Sequence, residues 1–334
     1  MVGFGQIVIG PPGSGKSTYC NGVQQFFSAI GRKSTVINLD PANDRLPYDS
    51  ALDIRDFITL EQIMEQESLG PNGGLMYALE SLDASIDEII SKLDALLKTH
   101  TYLIFDCPGQ IELFTHHSSL SKIFRRLTKD LDLRLCVVNL VDSFYITTPS
   151  QYVSIILLAL RSMLQLDLPH VNVLSKIDLV SNYGELPFNL QFYTEVQDLQ
   201  YLKPSIEQES KSVLSKKYAR LTHLISEVVE DYNLVSFEVL AVDDKQSMIN
   251  LISVIDKSNG YMFGTTEVGG DTIWSEATRH GGYIDYDIQD RWIDNKKAYD
   301  EEYEKERKAL VEQENELSDL HMKDEWDEAI DEWK

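Results

Sequence analysis

The chain has 334 residues, which is enough for one large domain or two ordinary ones around a buried core. Hydrophobic residues make up 43% of it and charged residues 25%, as is usual for a folded globular protein. The formal net charge of −24 argues against nucleic acid as a direct partner, because proteins that bind phosphate backbones carry basic faces.

The start of the chain and its cysteines give expectations about where the protein works. The first residues, MVGFG, carry no basic side chain and lead into an apolar run, so we expect no secretory signal. No apolar stretch approaches the ~18 residues that span a bilayer, so we expect no membrane partner. Cys20, Cys107 and Cys136 form no CxxC pair, which disfavours disulfides or a zinc site and favours a reducing, cytoplasmic location.

The first motif is a phosphate-binding loop. An apolar strand is predicted over 6–9, and GPPGSGKS follows it at 10–17. Glycines let backbone N–H groups turn toward a polyphosphate, and a helix beginning near Ser14 presents its positive end to the same anion. Lys16 is predicted to bind the phosphates and Ser17 to bind Mg²⁺. An ordinary Gly/Pro-rich turn is the less favoured alternative, because spacing and context both match. The nucleotide-binding residues predicted here are Gly10, Gly13, Ser14, Gly15, Lys16, Ser17 and Thr18.

The second strand supplies a candidate catalytic acid. A helix over 18–30, followed by Gly31, leads to a strand over 34–39. This strand ends at Asp40, and open α/β sheets place their chemistry at the carboxyl ends of strands. If the first two strands are neighbours, Asp40 faces the γ-phosphate, where it orients the attacking water or holds a metal-bound one. The alternative is a turn formed by Asp40 and Pro41.

The next segment predicts two helices separated by a glycine-rich loop. Residues 53–67 predict the first helix, and residues 70–74, GPNGG, predict a protruding turn. Residues 85–98 predict the second helix, because their aliphatic side chains repeat at the period of a helix that packs on a sheet.

A DxxG motif closes the following buried strand, which is predicted over 102–105. Asp106 of this motif is expected to bind Mg²⁺ through water, and the amide of Gly109 to sense the γ-phosphate. DxxG alone is a common pattern, but here it follows the phosphate loop by the length of two further βα units. Gln110 and Glu112 lie just beyond it, on a segment expected to move with the nucleotide. The adjacent pair at 116–117, two histidines, is predicted to be solvated surface rather than a metal site.

A guanine-recognition motif follows two more predicted elements of the sheet. A strand over 135–142 and a helix over 151–165 precede a strand over 171–174, which ends at SKID in 175–178. The Asp178 carboxylate would accept from the N1–H and the exocyclic amine of guanine, while the stem of Lys176 lies against the base. Adenine lacks this donor pair and would leave the carboxylate unpaired, at about 1–3 kcal/mol. We therefore predict guanine rather than adenine.

The rest of the first domain departs from strict alternation of strands and helices. Residues 182–235 predict a helical insertion at the rim of the sheet, with a helix over 207–232. A last strand over 235–240 precedes a loop at 241–243 that could contact the base through backbone amides. A closing helix is expected to end the domain near Gly264, so the domain is predicted over 1–265.

The predicted C-terminal extension, 266–334, has a different composition. All four tryptophans lie after residue 270, and residues 285–334 contain 19 acidic and 8 basic side chains, a net of −11. Such a segment is expected to be partly exposed helix or disordered. Apolar side chains at 322, 326, 330 and 333 fall on one helical face. They indicate either a solvated helix with a weak docking stripe, which we favour, or a recognition helix for a partner groove.

Together these motifs resemble the GPN-loop GTPase family over about residues 4–265. The motifs that carry the resemblance are GPPGSGKST at 10–18, LDPAN at 39–43, GPNGG at 70–74, DCPGQIEL at 106–113 and SKID at 175–178. The resemblance implies a P-loop NTPase of the SIMIBI-like GTPase type, with a doubly wound, mostly parallel α/β sheet. It also implies GTP and GDP as the bound nucleotides, with Mg²⁺ as cofactor.

The resemblance also assigns roles that spacing alone does not. Gly70, Pro71 and Asn72 would project across a dimer interface, so that Asn72 acts in trans on the γ-phosphate or the attacking water of the partner. Asp40 would position the water and contribute to the metal site, with help from Gln110. Glu112 is a further candidate to assist. The metal ligands implied are Ser17, Asp106 and Asp40.

The family resemblance further implies partners and a cellular role. The partner in the dimer would be a paralogous GPN-loop GTPase or a second copy of the chain. The cargo would be RNA polymerase II subunits or assembly factors, with related polymerases such as polymerase III left open, and the role would be polymerase assembly and nuclear import. The expected location is the cytoplasm, with shuttling to the nucleus left open.

Two other functions compete with GTP hydrolysis. A kinase would pass the γ-phosphoryl group to a small acceptor, and it would need a lid with arginines. Only Arg125 and Arg126 form a close arginine pair, and SKID fits a kinase poorly. A GTP-binding assembly adapter with negligible hydrolysis is the second alternative, against which the intact phosphate motifs weigh.

Overall fold

The structure, a computed structural model, describes residues 2–43, 45–99, 101–209, 215–261, 288–302, 304–305 and 308. It divides into two compact units, Met1–Tyr283 and Ile284–Lys334. The strands described in the first unit are β1 (Gly3–Ile9), β2 (Ser34–Asn38), β3 (Ser50–Asp53), β4 (Tyr102–Asp106), β5 (Leu133–Asp142), β6 (His170–Ser175) and β7 (Phe237–Leu240).

These strands form one sheet in the order β3-β2-β4-β1-β5-β6-β7, and every neighbouring pair is parallel. The predicted doubly wound parallel sheet is therefore confirmed. From β1 the chain first builds the side that contains β4, β2 and β3, and then continues from β5 on the other side. At such a reversal the carboxyl ends of the strands leave a crevice that binds ligands.

Helices connect the strands and cover the sheet. They are α1 (Lys16–Ala29), α2 (Leu60–Glu67), α3 (Pro71–Ala84), α4 (Ile86–Leu97), α5 (Ile111–Thr115), α6 (Ser119–Asp130), α7 (Pro149–Leu166), α8 (Leu190–Glu195), α9 (Lys203–Glu209), α10 (Ser215–Tyr232) and α11 (Lys245–Asn259). Short 3₁₀ helices occupy Ile54–Asp56, Ser143–Thr147, Ile177–Asn182 and Leu199–Leu202. Most predicted elements are present; α1, for example, ends before Gly31, whose φ of 76° terminates the helix as expected.

One predicted helix is partly wrong. Residues 53–67 were expected to be helical throughout, but the chain first completes the edge strand β3 and a 3₁₀ turn, and α2 begins only at Leu60. A capping box defines that start: the side chain of Thr59 accepts from the Gln62 N–H, and the Gln62 side chain accepts from the Thr59 N–H. The four-residue strand β3 is too short to show a clear period of two, so the sequence pattern did not reveal it.

The glycine-rich segment is also different from the prediction. Instead of a protruding turn, Pro71 begins α3, and the N–H of Gly74 donates to the carbonyl of Gly70 at 2.8 Å. Proline suits the first position of a helix because it needs no N–H donor there. A Cβ on Gly74 would lie 2.7 Å from Leu60 Cδ1, so the glycine allows α3 to pack closely against α2.

The predicted insertion at 182–235 contains α8, α9 and α10, while residues 210–214 of its predicted long helix lie outside the described residues. The predicted domain end near Gly264 and the helical stripe at 322, 326, 330 and 333 also lie outside them. In the second unit, a short π-helical turn spans Asp290–Asp294, and Arg291 forms an ion pair with Asp300 at 2.8 Å. No helix in the described part of the chain is long and apolar enough to cross a membrane.

Apolar side chains pack against both faces of the sheet. Side chains alternate along each strand, so Ile7 and Ile9 of β1 join one cluster and Val8 joins the other. The first cluster includes residues of α3, α4 and α6, and the second includes residues of α1 and α11. These two layers hold the strand ends in place, and the candidate site lies at those ends.

A buried ion pair joins the loop after α1 to α11 on one of these faces. The Arg32 guanidinium donates to both carboxylate oxygens of Asp256, at 3.1 and 2.8 Å, and Asp256 is fully buried. The guanidinium also lies over the rings of Phe27 and Tyr261, with its carbon 4.5 and 4.1 Å from their centroids. This bidentate geometry fixes how the loop after α1 meets the closing helix.

We expect Asp256→Ala to lower the free energy of unfolding by about 3–5 kcal/mol, because it leaves the buried Arg32 charge without its carboxylate. Urea denaturation of the purified chain measures this. Asp94→Ala is the control, since Asp94 pairs with Lys98 at 2.6 Å on the exposed face of α4 and should cost less than about 1 kcal/mol. If the two variants lost the same free energy of unfolding, the Arg32–Asp256 pair would contribute no more to stability than an exposed ion pair, which would contradict the prediction.

Candidate nucleotide-binding site

The candidate site lies where β1, β2 and β4 end. In the sheet, Val8 of β1 and Asn38 of β2 both pair with Asp106, the last residue of β4. This register brings the phosphate loop after β1 and the DxxG loop after β4 to one edge of the sheet. The two motifs are therefore side by side, as a phosphate-binding site requires.

The phosphate loop between β1 and α1 has the backbone shape that its glycines predict. Gly10, Gly13 and Gly15 have φ values of 146°, 79° and 90°, which are unfavourable for residues with a side chain. Lys16 is buried under this loop, and its ammonium donates to the Gly10 carbonyl oxygen at 3.1 Å. The side chain of Ser14 is also buried, and its hydroxyl has no hydrogen-bond partner among the described residues.

A hydrogen-bonded cluster surrounds the predicted metal ligands. Oδ2 of Asp106 accepts from Ser17 Oγ at 2.8 Å and from the Tyr48 hydroxyl at 2.7 Å. Asn43 Nδ2 donates to Ser17 Oγ at 3.2 Å. Oδ1 of Asp106 is buried and, among the described residues, accepts no hydrogen bond.

These donors fit Mg²⁺, which prefers hard oxygen ligands and keeps several of its waters. The hydroxyl of Ser17 and a water held by Asp106 Oδ1 would be the protein's contribution. The described residues contain no group of three or more His, Cys, Asp or Glu side chains that could hold a metal by themselves. Phosphate oxygens and water would therefore have to complete the coordination.

The charged groups of the site are shifted toward their neutral forms. Burial lowers the pKa of Lys16, although the charges of Asp106 and Asp40 oppose this. Burial raises the pKa of Asp106, against the hydrogen bonds from Tyr48 and Ser17. Burial also raises the pKa of Asp40, against a hydrogen bond from the Ala42 N–H. Several shifted groups in one crevice are typical of a functional site.

Asp40 lies at this site, but not for the predicted reason. The expectation assumed that the first two strands are neighbours, whereas β4 lies between β1 and β2. The chain after β2 instead follows the end of β4, because the Leu39 N–H donates to the Asp106 carbonyl at 2.9 Å. Asp40 is half-buried, and its Oδ1 accepts from the Ala42 N–H at 2.9 Å.

The guanine-recognition motif is attached directly to the phosphate loop. Lys176 Nζ donates to Asp142 Oδ2 at 2.7 Å and to the Gly13 carbonyl at 2.6 Å. Ser175 Oγ donates to the Ser14 carbonyl at 2.8 Å. The ends of β5 and β6 therefore hold one side of the phosphate loop.

Asp178 follows in the 3₁₀ helix Ile177–Asn182, where it is half-buried. The loop after β7 also approaches α1, because a Cβ on Gly22 would lie 2.5 Å from Cγ1 of Val242. The SKID motif and this loop thus both lie close to the phosphate loop and the helix that follows it.

Asn72 contacts the DxxG segment of its own chain. Its side chain is exposed at the start of α3, and its Oδ1 accepts from Gln110 Nε2 at 2.9 Å. Gln110 Oε1 is buried without a hydrogen-bond partner among the described residues. A Cβ on the preceding Gly109 would lie 2.8 Å from Lys16 Nζ, so this backbone passes directly over the phosphate-binding lysine.

Other candidates are less closely involved. Glu112 is exposed on α5, and among the described residues its carboxylate makes no hydrogen bond or ion pair. Thr18 is exposed in the first turn of α1.

His116 is exposed, as predicted, whereas His117 is half-buried and contacts Glu80 at 3.2 Å. Arg126, which belongs to the arginine pair considered under the kinase alternative, is paired with Asp130 and Asp87 on the outer helices.

Tyr48 and Asn43 are two further residues of the site, and no role was predicted for either. Both lie in the loop between β2 and β3, and each donates a hydrogen bond to a predicted metal ligand. Asn43 is the last residue of the LDPAN motif, whereas the only signal for Tyr48 was its proximity to Asp40 along the chain. Nothing in the local pattern paired position 48 with position 106, because that contact depends on which strand lies beside β2.

A phosphate loop, a DxxG aspartate and an SKID motif thus meet at the switch point of a doubly wound parallel sheet. This combination defines a P-loop nucleoside triphosphatase.

Comparisons with known proteins agree with this class. A family model described as a conserved hypothetical ATP-binding protein matches residues 8–261. The chain is 65% identical to GPN-loop GTPase 2 of Saccharomyces cerevisiae, covering 99% of this chain and 97% of that one. It is 51% identical to GPN-loop GTPase 2 of Schizosaccharomyces pombe, covering 94% and 99% respectively. The crystal structure of an apo GTPase from Pyrococcus abyssi matches with a TM-score of 0.59 and 25% identity, covering 76% of this chain and 97% of that one.

The chain therefore belongs to the GPN-loop GTPase family, in the group of the second eukaryotic paralogue, and it is a GTPase. The description of the family model mentions ATP, but the named relatives are GTPases. Their names agree with the guanine that SKID predicts.

The backbone of the phosphate loop provides a test of the site. We expect Gly10→Ala to destabilise the fold by at least about 2 kcal/mol and to abolish nucleotide binding, because φ at Gly10 is 146° and a Cβ would overlap the Leu140 carbonyl oxygen. Urea denaturation and calorimetric titration with GDP measure the two effects. Gly73→Ala is the control for stability: its Cβ would lie 3.5 Å from Leu69, and we expect a change within about 1 kcal/mol. If Gly10→Ala were as stable as Gly73→Ala, the close approach of Gly10 to the Leu140 carbonyl oxygen would be contradicted.

Proposed function

We propose that the chain hydrolyses GTP with Mg²⁺ as a dimer, paired with a paralogous family member or a second copy of itself. The observation that carries the proposal of hydrolysis is the contact between Ser17 and Asp106, at 2.8 Å, which brings the phosphate loop and the DxxG motif together. The exposure of Asn72 supports the dimer. The reaction is in-line attack of water on the γ-phosphate, driven by positioning and electrostatics.

The phosphates are bound by the residues that surround the loop. Lys16 and the positive end of α1 stabilise the phosphate charge, and an anion beside Lys16 favours its protonated form. Ser17 and Asp106 would hold Mg²⁺, the latter through water. When bound, Mg²⁺ neutralises charge that develops on the phosphate oxygens.

The attacking water has two candidate partners in this chain. Gln110 Oε1 is a buried acceptor that is not used by another described residue, so it can accept a hydrogen bond from water. The carboxylate of Asp40 is half-buried, and burial raises its pKa, which makes it a better proton acceptor. We assign the positioning of the water to these two side chains. Glu112 is exposed, and it would help to position the water only when the segment after the DxxG motif moves.

Asn72 is proposed to act across the dimer. It is exposed on α3, so a second chain can reach it, while in a single chain its carboxamide is engaged with Gln110. Dimerisation would then bring Asn72 to the partner's γ-phosphate or water, and nucleotide state would change the contacts of the dimer. Turnover by the isolated protein is expected to be slow.

We propose the cellular role on the family resemblance alone. The GTPase would assist assembly and nuclear import of RNA polymerase II, working in the cytoplasm and shuttling to the nucleus. The net charge of −24 supports protein partners over direct contact with nucleic acid.

The dimer mechanism predicts a dependence on protein concentration. We expect the specific GTPase activity of the wild type to rise with concentration, and Asn72→Ala to lose at least about tenfold in activity while still binding GTP. The rate of phosphate release across a concentration series measures the activity of both proteins. Titration with a fluorescent GTP analogue measures whether Asn72→Ala still binds the nucleotide.

The matched control for this prediction is Asn21→Ala. Asn21 accepts from Gln25 at 3.2 Å on α1, so it loses the same kind of exposed asparagine–glutamine contact away from the GPN segment. We expect wild-type activity from it. The prediction would be contradicted if specific activity did not change with protein concentration and Asn72→Ala were as active as the wild type. The GPN segment would then serve only as the start of α3, and the GTP-binding adapter or a mechanism restricted to heterodimers would be favoured.

Base recognition gives a second prediction. Asp178→Asn removes the carboxylate proposed to accept from guanine, so we expect GTP affinity to fall about 10- to 100-fold. Affinity for XTP should rise, because xanthine has a carbonyl where guanine has the amine and an asparagine amide can donate to it. Competition titrations with GTP, XTP and ATP measure this. Asp167→Asn, at the end of α7, is the control and should keep the wild-type preference; unchanged GTP affinity in Asp178→Asn would exclude the assignment.

A further inference from the structure

Tyr48 is a buried residue of the site to which no role has been assigned. It lies in the loop between β2 and β3 with 7% of its surface exposed, and its ring packs in the core cluster that contains Val8 and Ile104. Its hydroxyl donates to Asp106 Oδ2 at 2.7 Å. The ring is therefore fixed by the core, and the hydroxyl is directed at the DxxG carboxylate.

The two oxygens of Asp106 have different surroundings. Oδ2 accepts from both Ser17 and Tyr48, whereas Oδ1 is buried and has no hydrogen-bond partner among the described residues. The terminal torsion of an aspartate is broad, so the carboxylate plane is set by the groups that donate to it. Two donors on one oxygen hold that plane and leave the other oxygen available.

The same loop also contacts the second metal ligand. Asn43 Nδ2 donates to Ser17 Oγ at 3.2 Å, and Arg55 donates to the Asn43 carbonyl at 2.7 Å. One loop thus supplies a hydrogen bond to Ser17 and to Asp106, two of the three side chains implied as Mg²⁺ ligands. Partners of this kind orient metal ligands in many sites, and their loss weakens metal binding.

We propose that Tyr48 is a positioning residue for the Mg²⁺ site, whose hydroxyl holds Asp106 Oδ2 so that Oδ1 faces a metal-bound water. The inference rests on the proposed Mg²⁺-dependent function. Tyr48 would not touch the nucleotide or the reacting atoms, and its effect on them passes through Asp106.

The test is the Mg²⁺ dependence of release of a fluorescent GDP analogue. We expect Tyr48→Phe to need about tenfold more Mg²⁺ for half-maximal slowing of release. In EDTA its release rate should stay within twofold of the wild type, because the ring that packs in the core is retained. Tyr152→Phe is the matched control: it removes a buried hydroxyl that donates to the Tyr193 carbonyl at 2.9 Å, away from the site. We expect the wild-type Mg²⁺ midpoint from it.

Other outcomes overturn the inference. A Tyr48→Phe midpoint within twofold of the wild type would show that the hydroxyl does not support the metal site. A changed release rate in EDTA would assign Tyr48 to the shape of the nucleotide pocket. Release from the wild type that is indifferent to Mg²⁺ would overturn the proposed Mg²⁺ function together with this inference.

A double-mutant cycle tests whether Tyr48 acts through Asp106. In an Asp106→Asn background, we expect Tyr48→Phe to shift the Mg²⁺ midpoint by less than twofold. A tenfold shift in that background would show that Tyr48 does not act through Asp106. A chain that keeps the tyrosine gives an independent measurement. With Tyr48→3-fluorotyrosine, the ¹⁹F resonance should move when Mg²⁺ is added to the GDP-loaded protein, whereas Tyr152→3-fluorotyrosine should show no change. An unmoved resonance at position 48 would contradict the proposal.

Discussion

The hydrogen bond between Ser17 Oγ and Asp106 Oδ2, at 2.8 Å, is the contact on which the site depends. It joins the phosphate loop to the DxxG motif across 89 residues of sequence. The bond is possible because β1 and β4 are parallel neighbours, with Val8 opposite Asp106. A slip of one residue in this register would turn the Asp106 side chain to the other face of the sheet and separate the two motifs.

The site places charged groups where water is scarce, and the rest of the fold stabilises that arrangement. Burial shifts the pKa of Lys16 down and that of Asp106 up, so both charges are held at a cost in desolvation. Apolar clusters on both faces of the sheet offset this cost and keep the strand ends rigid. A bound polyphosphate and cation would supply opposite charge to each group, which explains why a GTPase retains them.

A second layer of polar contacts holds the loop after β2 against this centre. Asn38 Nδ2 donates to Asp53 Oδ1 at 2.9 Å, and Arg55 joins Asp53 to the Asn43 carbonyl. The short edge strand β3 therefore has a positional role, because it places Asp53 beside Asn38. Through this layer the edge of the sheet determines where Asp40 and its neighbours lie.

The motifs and most of the elements could be predicted from the sequence alone, because the phosphate loop, DxxG and SKID depend on local spacing and on glycine conformations. The resemblance that these motifs carry also predicted the parallel α/β class, which the sheet confirms. Strand order and side-chain packing had to be read from the three-dimensional structure: β4 lies between β1 and β2, Tyr48 meets Asp106, and Gln110 meets Asn72. Those contacts join residues far apart in the chain, so they follow from strand order and packing, which no local pattern encodes.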